Sequence, residues 1–213
     1  MSEYKGFTTE FPSRCLELLY SLKPAALEQD RECTLLLALT SAAICGVADR
    51  IGATAPKGRA SATPTVSGRE VNRNRRRHGE FLEKRASALF QFADPPSWCP
   101  RQLPSKGRNT PDTWDWRALP SDWTVERLMN LLRNAFAHGN IWSLSHRSSP
   151  VLREFVFAQR LDEPHPSAEP AVEAIRILPS SLHMVMVEWS TSIGAPRDGR
   201  ARDILHTEDD KAA

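Results

Sequence analysis

Residues 122–140 read DWTVERLMNLLRNAFAHGN, and their apolar side chains recur at helical spacing. This periodicity predicts a helix from about Asp122 to His138. Ser121 is the expected N-cap residue, with Thr124 as the alternative. Gly139 is the residue type that commonly ends a helix in a left-handed conformation. The stretch therefore predicts a core helix whose last turn carries His138.

Three side chains near the end of this helix have the chemistry to act on a phosphodiester. The Arg133 guanidinium is a permanent cation with a donor fork suited to phosphate oxygens, and the His138 imidazole exchanges a proton near neutral pH. Asn134 and His138 share a helix face, whereas Arg133 lies about 140° from His138 around the axis. Either the long arginine bends round the helix, or a second copy of the chain completes the site. This spacing favours a cleft at a homodimer interface.

An RNA substrate would bring its own nucleophile, the 2′-hydroxyl group. His138 would act as general base and then as acid, which contributes roughly 10²–10⁴-fold to such reactions. Arg133 would stabilise charge on the phosphorane oxygens, and Asn134 would orient His138 or hydrogen-bond the phosphate. The reaction needs no metal and no other cofactor. The alternative interpretation is an ordinary core helix, in which Arg133 is a surface residue and His138 only contacts the last carbonyls.

The string from Leu132 to Ile141, LRNAFAHGNI, resembles the signature of HEPN domains. That signature is an arginine followed directly by a polar residue and, a few positions on, by a histidine; here the spacer has four residues. The resemblance covers roughly Ala25–Ile51 and Asp122–Ile193. It implies a helical bundle that acts as a homodimeric, metal-independent endoribonuclease, with the three residues above in its active site. It also implies toxin–antitoxin or phage-defence roles, with an antitoxin or a nucleotidyltransferase as partner, or a catalytically silent module that binds a protein or nucleotide.

The rest of the chain predicts an all-α fold, a HEPN-like bundle of about four or five main helices with a small β-hairpin before the last helix. Pro24 should break the chain between the first two helices. Besides the stretch quoted above, the expected helices are Pro12–Lys23, Ala25–Ile51, Arg69–Phe92 and a last helix from Pro179 or Ser180 to Gly194. Two apolar stretches joined by a proline-rich connection predict the hairpin: Val151–Leu161 and Ala171–Leu178.

A single domain should span residues 1–194, because the chain is long enough for one sizeable core and short for two. Within it, residues 53–113 form a basic, loop-rich insertion, irregular at 53–68 and at 94–113. Residues 195–213 are expected to be a disordered charged tail.

The chain carries 28 Lys+Arg and 26 Asp+Glu, a net charge of only +2, so it is not a polycation. Its charge is uneven, however, with 13 basic and 4 acidic residues between Arg50 and Arg108. The candidates for holding an RNA backbone by counterion release are four arginines in this region, and the alternative is a solvated helix start. These arginines are Arg73, Arg75, Arg76 and Arg77.

Several features exclude other classes of protein. The four cysteines are widely spaced without a C-x-x-C pair, which argues against a structural zinc site. Cys33 and Cys45 lie in an apolar segment and are expected to be reduced core residues. The N-terminus lacks a secretory signal pattern, and the longest apolar run, Leu35–Ala48, is too short to cross a bilayer. We therefore expect a cytoplasmic protein without a metal or membrane partner.

Overall fold

A computed structural model of the chain describes residues 7–51, 78–90, 92, 94–102, 111–145, 152–161 and 171–193. The predicted loop 53–68, the four arginines between positions 73 and 77 and the tail 195–213 lie outside these residues. In chain order, the described elements are α1 (Phe7–Leu27), α2 (Glu32–Ile51), α3 (78–83), α4 (Ala86–Phe90), β1 (Ser97–Gln102), a 3₁₀ turn (Pro111–Thr113), β2 (Arg117–Ala118), α5 (Val125–His138), β3 (Ile141–Ser145), β4 (Leu152–Arg160), β5 (Val172–Ile177) and α6 (Pro179–Ile193).

The first two helices differ from their predicted bounds. α1 continues through Pro24, because a proline lacks only its own N–H, and the Pro24 carbonyl accepts a hydrogen bond from the Glu28 N–H at 3.1 Å. The chain turns instead at Asp30, whose φ of 53° is left-handed, and α2 begins at Glu32 rather than at Ala25. The predicted break at Pro24 is therefore wrong. The last helix, in contrast, begins at Pro179 as predicted.

The prediction of an all-α fold is wrong, because the described residues include a five-stranded antiparallel sheet in the order β2–β1–β5–β4–β3. The predicted hairpin is confirmed as β4 and β5. The other strands have weak signals in the sequence. β1 lies in the segment 94–113 that was expected to be irregular, and it contains Pro100, which argues against an interior strand. Its pairing with β5 shifts register between Cys99 and Gln102, and this bulge accommodates the proline.

Each face of the sheet has its own apolar cluster, since successive side chains of a strand point to opposite faces. Phe155 and Phe157 of β4 face the helices and join the main core with α2, α5 and α6, whereas Val156 and Ala158 face the other side, where Trp114 covers them. α5 lies directly on β4, and α1 packs on α2 and α6. The result is a mixed α/β fold in which α5 lies between the sheet and α2.

Among the helices that the structure describes, none is long and apolar enough to cross a membrane. All four cysteines have free thiols. Cys15 and Cys99 are buried, whereas Cys33 and Cys45, the two expected core residues, are half-buried.

Candidate active site

The ends of α5 fix the direction of its side chains. Its N-cap is Thr124, the alternative to Ser121, and the Thr124 hydroxyl accepts a hydrogen bond from the Arg127 N–H at 3.2 Å. At the other end Gly139 adopts a φ of 68°, the left-handed conformation that favours glycine. The predicted C-terminal end is therefore confirmed, and His138 is the last helical residue.

The three predicted site residues lie in the last two turns of α5. Arg133 and Asn134 are half-buried, and His138 is exposed. Arg133 Nη1 donates a hydrogen bond to Asn134 Oδ1 at 3.0 Å, so the guanidinium is directed round the helix toward the side of Asn134. Asn134 is only about 40° from His138 around the axis. The hydrogen bond therefore turns the Arg133 guanidinium round the helix axis to the side of Asn134, which is the side nearer to His138.

A chain of hydrogen bonds continues from Asn134 into the sheet. Asn134 Nδ2 donates to Gln159 Oε1 on β4 at 3.0 Å, and Gln159 Nε2 donates to Glu173 Oε2 on β5 at 2.9 Å. The direction of this chain is fixed at both ends, because a guanidinium only donates and a carboxylate only accepts. Each amide between them therefore has one satisfactory orientation. We call Arg133, Asn134, Gln159 and Glu173 the amide relay.

The amide group of Asn134 is fully used within the fold. Its oxygen accepts from Arg133, and its nitrogen donates both to Gln159 and to Asn130 Oδ1, the latter at 3.2 Å. An amide nitrogen has only two hydrogens, so neither remains for a phosphate or for His138 in this arrangement. The geometry assigns Asn134 the role of holding Arg133.

Glu173 anchors the far end of the relay. It is only 5% exposed, and a buried carboxylate is costly unless it is paired and hydrogen-bonded. Its Oε1 atom accepts from Trp98 Nε1 at 2.9 Å and from Arg127 Nη2 at 2.8 Å. The Arg127 guanidinium also lies 4.5 Å from the ring centroid of Trp123. With Gln159, three donors therefore surround this carboxylate.

Sequence reasoning missed four members of this network: Arg127, Asn130, Gln159 and Glu173. Arg127 lies on α5 four residues before Leu131, and its guanidinium pairs with the buried Glu173 carboxylate. A signal was present in the strands. The alternation that turns Phe155 and Phe157 toward the helices also turns Gln159 toward them, and Glu173 shares that side with Ile175. A polar residue at an inward position marks a hydrogen-bonded site.

Four tryptophans have the ring chemistry to stack on RNA bases or to anchor loops to the fold: Trp98, Trp114, Trp116 and Trp123. Their contacts are those of anchors, since each lies against another tryptophan and two of them are at most 8% exposed. The arginines between positions 73 and 77 lie outside the described residues. Within the ranges that the structure covers, no group of three His, Cys, Asp or Glu residues could hold a metal ion.

Comparison with known proteins adds no family to this description. The chain matches none of the protein families, curated proteins or solved structures with which it was compared. The fold and the site therefore define the class by themselves. It is an α/β domain in which a polarised hydrogen-bond relay holds Arg133 on the same helix that ends in the exposed His138.

Proposed function

We propose that this protein is a metal-independent endoribonuclease in which His138 moves protons and Arg133 binds the scissile phosphate. One observation carries the proposal. The Arg133 guanidinium, which an ideal helix would direct about 140° away from His138, is turned back by its hydrogen bond to Asn134 at 3.0 Å. Asn134 is in turn held from the sheet by Gln159. An arginine fixed in this way is a preorganised donor for a developing negative charge.

The reaction follows from the groups available. His138 accepts the proton of the RNA 2′-hydroxyl, and the 2′ oxygen attacks the adjacent phosphorus. The bond from phosphorus to the 5′ oxygen breaks, the leaving oxygen takes up a proton, and the imidazolium releases the proton it gained. Arg133 donates hydrogen bonds to the non-bridging oxygens as their charge increases. The products are a 2′,3′-cyclic phosphate and a free 5′-hydroxyl, and DNA is not cleaved because it lacks the nucleophile.

The two proposed catalytic residues differ in the exposure of their side chains. His138 is exposed at the end of α5, where an RNA strand can reach it without a conformational change. Arg133 is half-buried and hydrogen-bonded, which reduces the side-chain entropy lost when it binds a phosphate. The site therefore combines an accessible proton acceptor with an arginine of restricted motion.

The proposed site is assembled within one chain. The support for this is that Asn134 turns the Arg133 guanidinium to the side of α5 nearer to His138. RNA cleavage by a homodimer with the site at its interface is equally compatible with this geometry. The proposed substrate is cytoplasmic RNA. We also propose a toxin or phage-defence role, with an antitoxin or a nucleotidyltransferase as partner, because the sequence resemblance implies it.

A catalytically silent module that binds a protein or a nucleotide is the second candidate. The observation in its favour is that the amide relay is satisfied internally, from Arg133 to Glu173. A fully satisfied polar network also serves to fix one packing arrangement. In that case His138 would have no catalytic role. Replacing it would change neither the fold of the protein nor the integrity of an RNA substrate.

The deciding experiment incubates a mixed RNA pool with purified protein in excess EDTA and analyses the product ends. Wild type should yield fragments with 2′,3′-cyclic phosphates, and His138→Ala should yield none. His183→Ala is the matched control, because His183 is a half-buried histidine of α6 that stacks edge-on against Tyr20, away from the relay. It should cleave like wild type. Intact RNA with folded wild type would overturn the proposal in favour of the silent module.

A further inference from the structure

Trp142 on β3 is the aromatic residue among the large apolar side chains that are exposed in the described part of the chain, and it is 37% exposed. The other members of that group are leucines of α1. Trp142 lies opposite Val156 of β4, which places it on the face of the sheet that points away from the helices. Tryptophan is enriched at binding surfaces because it combines a large apolar ring with a polar N–H. Trp142 is therefore a candidate binding residue on this face.

The Trp142 ring is supported by a second tryptophan. It lies edge-to-face against Trp114, with the ring centroids 5.7 Å apart and the ring planes at 75°. Trp114 is only 8% exposed and stacks on Trp116, whose Nε1 donates a hydrogen bond to the Pro111 carbonyl at 2.7 Å. An edge-to-face contact leaves at least one face of the Trp142 ring uncovered by Trp114. Trp142 therefore presents an open ring face on a buried support.

The chain places this ring close to the end of α5. Trp142 follows His138 by four residues, so their Cα atoms are at most about 14 Å apart, since one residue spans no more than about 3.6 Å. Stacked bases rise about 3.4 Å each along a strand. An RNA strand of only a few nucleotides can therefore reach from His138 to Trp142.

An exposed arginine lies at the same corner of the sheet. The Ala158 N–H donates a hydrogen bond to the Asn140 carbonyl at 3.0 Å, where the pairing of β3 with β4 begins. His138 lies two residues before this bond and Arg160 two residues after it on the other strand, so both lie at this end of the pair. Arg160 is exposed, and strand alternation places it on the same face as Trp142.

The charges of this face suit a phosphate backbone. On strands β3–β5 its acidic residue is Glu154, whose carboxylate lies 3.5 Å from the Arg176 guanidinium. Asp115, in the segment that covers the sheet, is paired with Arg117. Because both carboxylates have an arginine beside them, Arg160 adds positive charge that they do not cancel. A cation and an aromatic ring are the two groups by which proteins bind single-stranded nucleic acids.

We propose that Trp142 and Arg160 bind single-stranded RNA beside the proposed catalytic His138, with a base stacked on the Trp142 ring and a phosphate on Arg160. The inference rests on the proposed nuclease for the identity of its ligand, and it adds the class of substrate. Stacking on a side chain requires a base that is released from a duplex, and every base has a π-face to offer. The substrate is therefore single-stranded RNA without a strong sequence preference.

The test measures binding without cleavage, by fluorescence anisotropy of a labelled RNA whose 2′-hydroxyl groups are methylated. The full chain in EDTA should bind the single strand about tenfold or more tightly than the same sequence in a duplex. Trp142→Leu keeps an apolar side chain against Trp114 but has no π-face, so it should weaken single-strand binding about tenfold. Trp142→Phe keeps an aromatic ring and should bind close to wild type. Circular dichroism checks that each variant is folded.

The contribution of Arg160 is measured by the salt dependence of the same binding. Arg160→Ala should weaken binding and reduce the slope of log Kd against log salt by about one. Arg31→Ala is the matched control, because Arg31 is also exposed but lies in the turn between α1 and α2. It should leave both the affinity and the slope unchanged.

Three results would overturn the proposal. Equal binding by Trp142→Leu and Trp142→Phe would mean that the residue acts through apolar packing alone, as in an interface with another protein. The other two are a duplex that binds as tightly as the single strand, and a folded wild type that binds neither. The probe lacks the nucleophile, so these results do not depend on cleavage. Wild type that binds as predicted but leaves unmodified RNA intact in EDTA would refute the nuclease and keep the stacking site.

Discussion

Replacing Glu173 with glutamine should disturb Arg133, although the two residues do not touch. The substitution keeps the size of the side chain and exchanges one oxygen acceptor for an N–H donor. Its new nitrogen cannot face Trp98 and Arg127, which both donate to Oε1 at 2.9 and 2.8 Å. It must therefore face Gln159, whose own nitrogen occupies that position at 2.9 Å. Two donors then meet.

The mismatch can be moved along the relay but not removed. If Gln159 rotates its amide by half a turn, its nitrogen faces the Asn134 nitrogen. If Asn134 also rotates, its nitrogen faces the Arg133 guanidinium, which has no acceptor to offer. One donor is left unsatisfied at whichever position the structure selects. An unsatisfied buried group costs about 1–3 kcal/mol. Loss of the ion pair with Arg127 adds little to this destabilisation, because the Arg127 side chain is half exposed.

Two assays measure this effect. Urea unfolding should show Glu173→Gln destabilised by about 1–3 kcal/mol, and single-turnover RNA cleavage in EDTA should be slower by ~10–100-fold, because a misplaced catalytic group costs up to about a hundredfold. Glu154→Gln is the matched control. Glu154 is a half-buried carboxylate on the other face of β4, 3.5 Å from Arg176. It should lose stability without losing cleavage rate.

If Glu173→Gln unfolds and cleaves like wild type, the relay has no fixed donor–acceptor direction and does not hold Arg133. The reasoning is also refuted if Glu154→Gln reduces cleavage as much as Glu173→Gln does. In that case the loss would follow from general loosening of the fold and not from the relay.

Three further predictions follow from the sequence and the core. Burial raises the pKa of the Cys15 thiol to about 11 from its ordinary value of 9.0. Because the thiol of the unfolded chain ionises at lower pH, the free energy of unfolding should fall by up to about 3 kcal/mol between pH 9 and 11. Urea unfolding at several pH values measures this loss, which should be smaller in Cys15→Ala. Overexpression should arrest growth with wild type and not with Arg133→Ala, if cellular RNA is the target. Reversing the charges of Arg75, Arg76 and Arg77 should weaken RNA binding and flatten its dependence on salt; an unchanged salt slope in filter binding would exclude these arginines.

Local signals predicted the elements whose ends and faces are set by their own residues. Gly139 ends α5 because only that backbone position is left-handed there, and the hairpin of β4 and β5 follows from two apolar runs. The strands that were missed depend on partners distant in the sequence. β1 contains Pro100 and pairs with β5, whose residues lie 70 to 79 positions later, so its strand conformation is imposed by tertiary contacts rather than by propensity.

The difference between local determinants and partners distant in the sequence also explains which parts of the site could be predicted. The spacing of Arg133 and His138 is a property of one helix, and it could be analysed from helix geometry alone. The position of the Arg133 side chain was left open, since it depends on Gln159 and Glu173. These residues come from two strands whose register had to be known first. Alternation places both on the inward side, but their meeting with Asn134 requires the packing of α5 on β4.

The two proposed catalytic residues consequently depend on the fold to different degrees. His138 needs only the end of α5 and its Gly139 cap, which are local. Arg133 needs the relay, which joins α5 to two strands and ends at a buried carboxylate. A perturbation that loosens the sheet without unfolding the helix would therefore release the arginine while leaving the histidine in place. In the proposed reaction such a protein keeps its proton acceptor and loses the group that stabilises the charged phosphate, so its substrate binding and its cleavage rate should fall together.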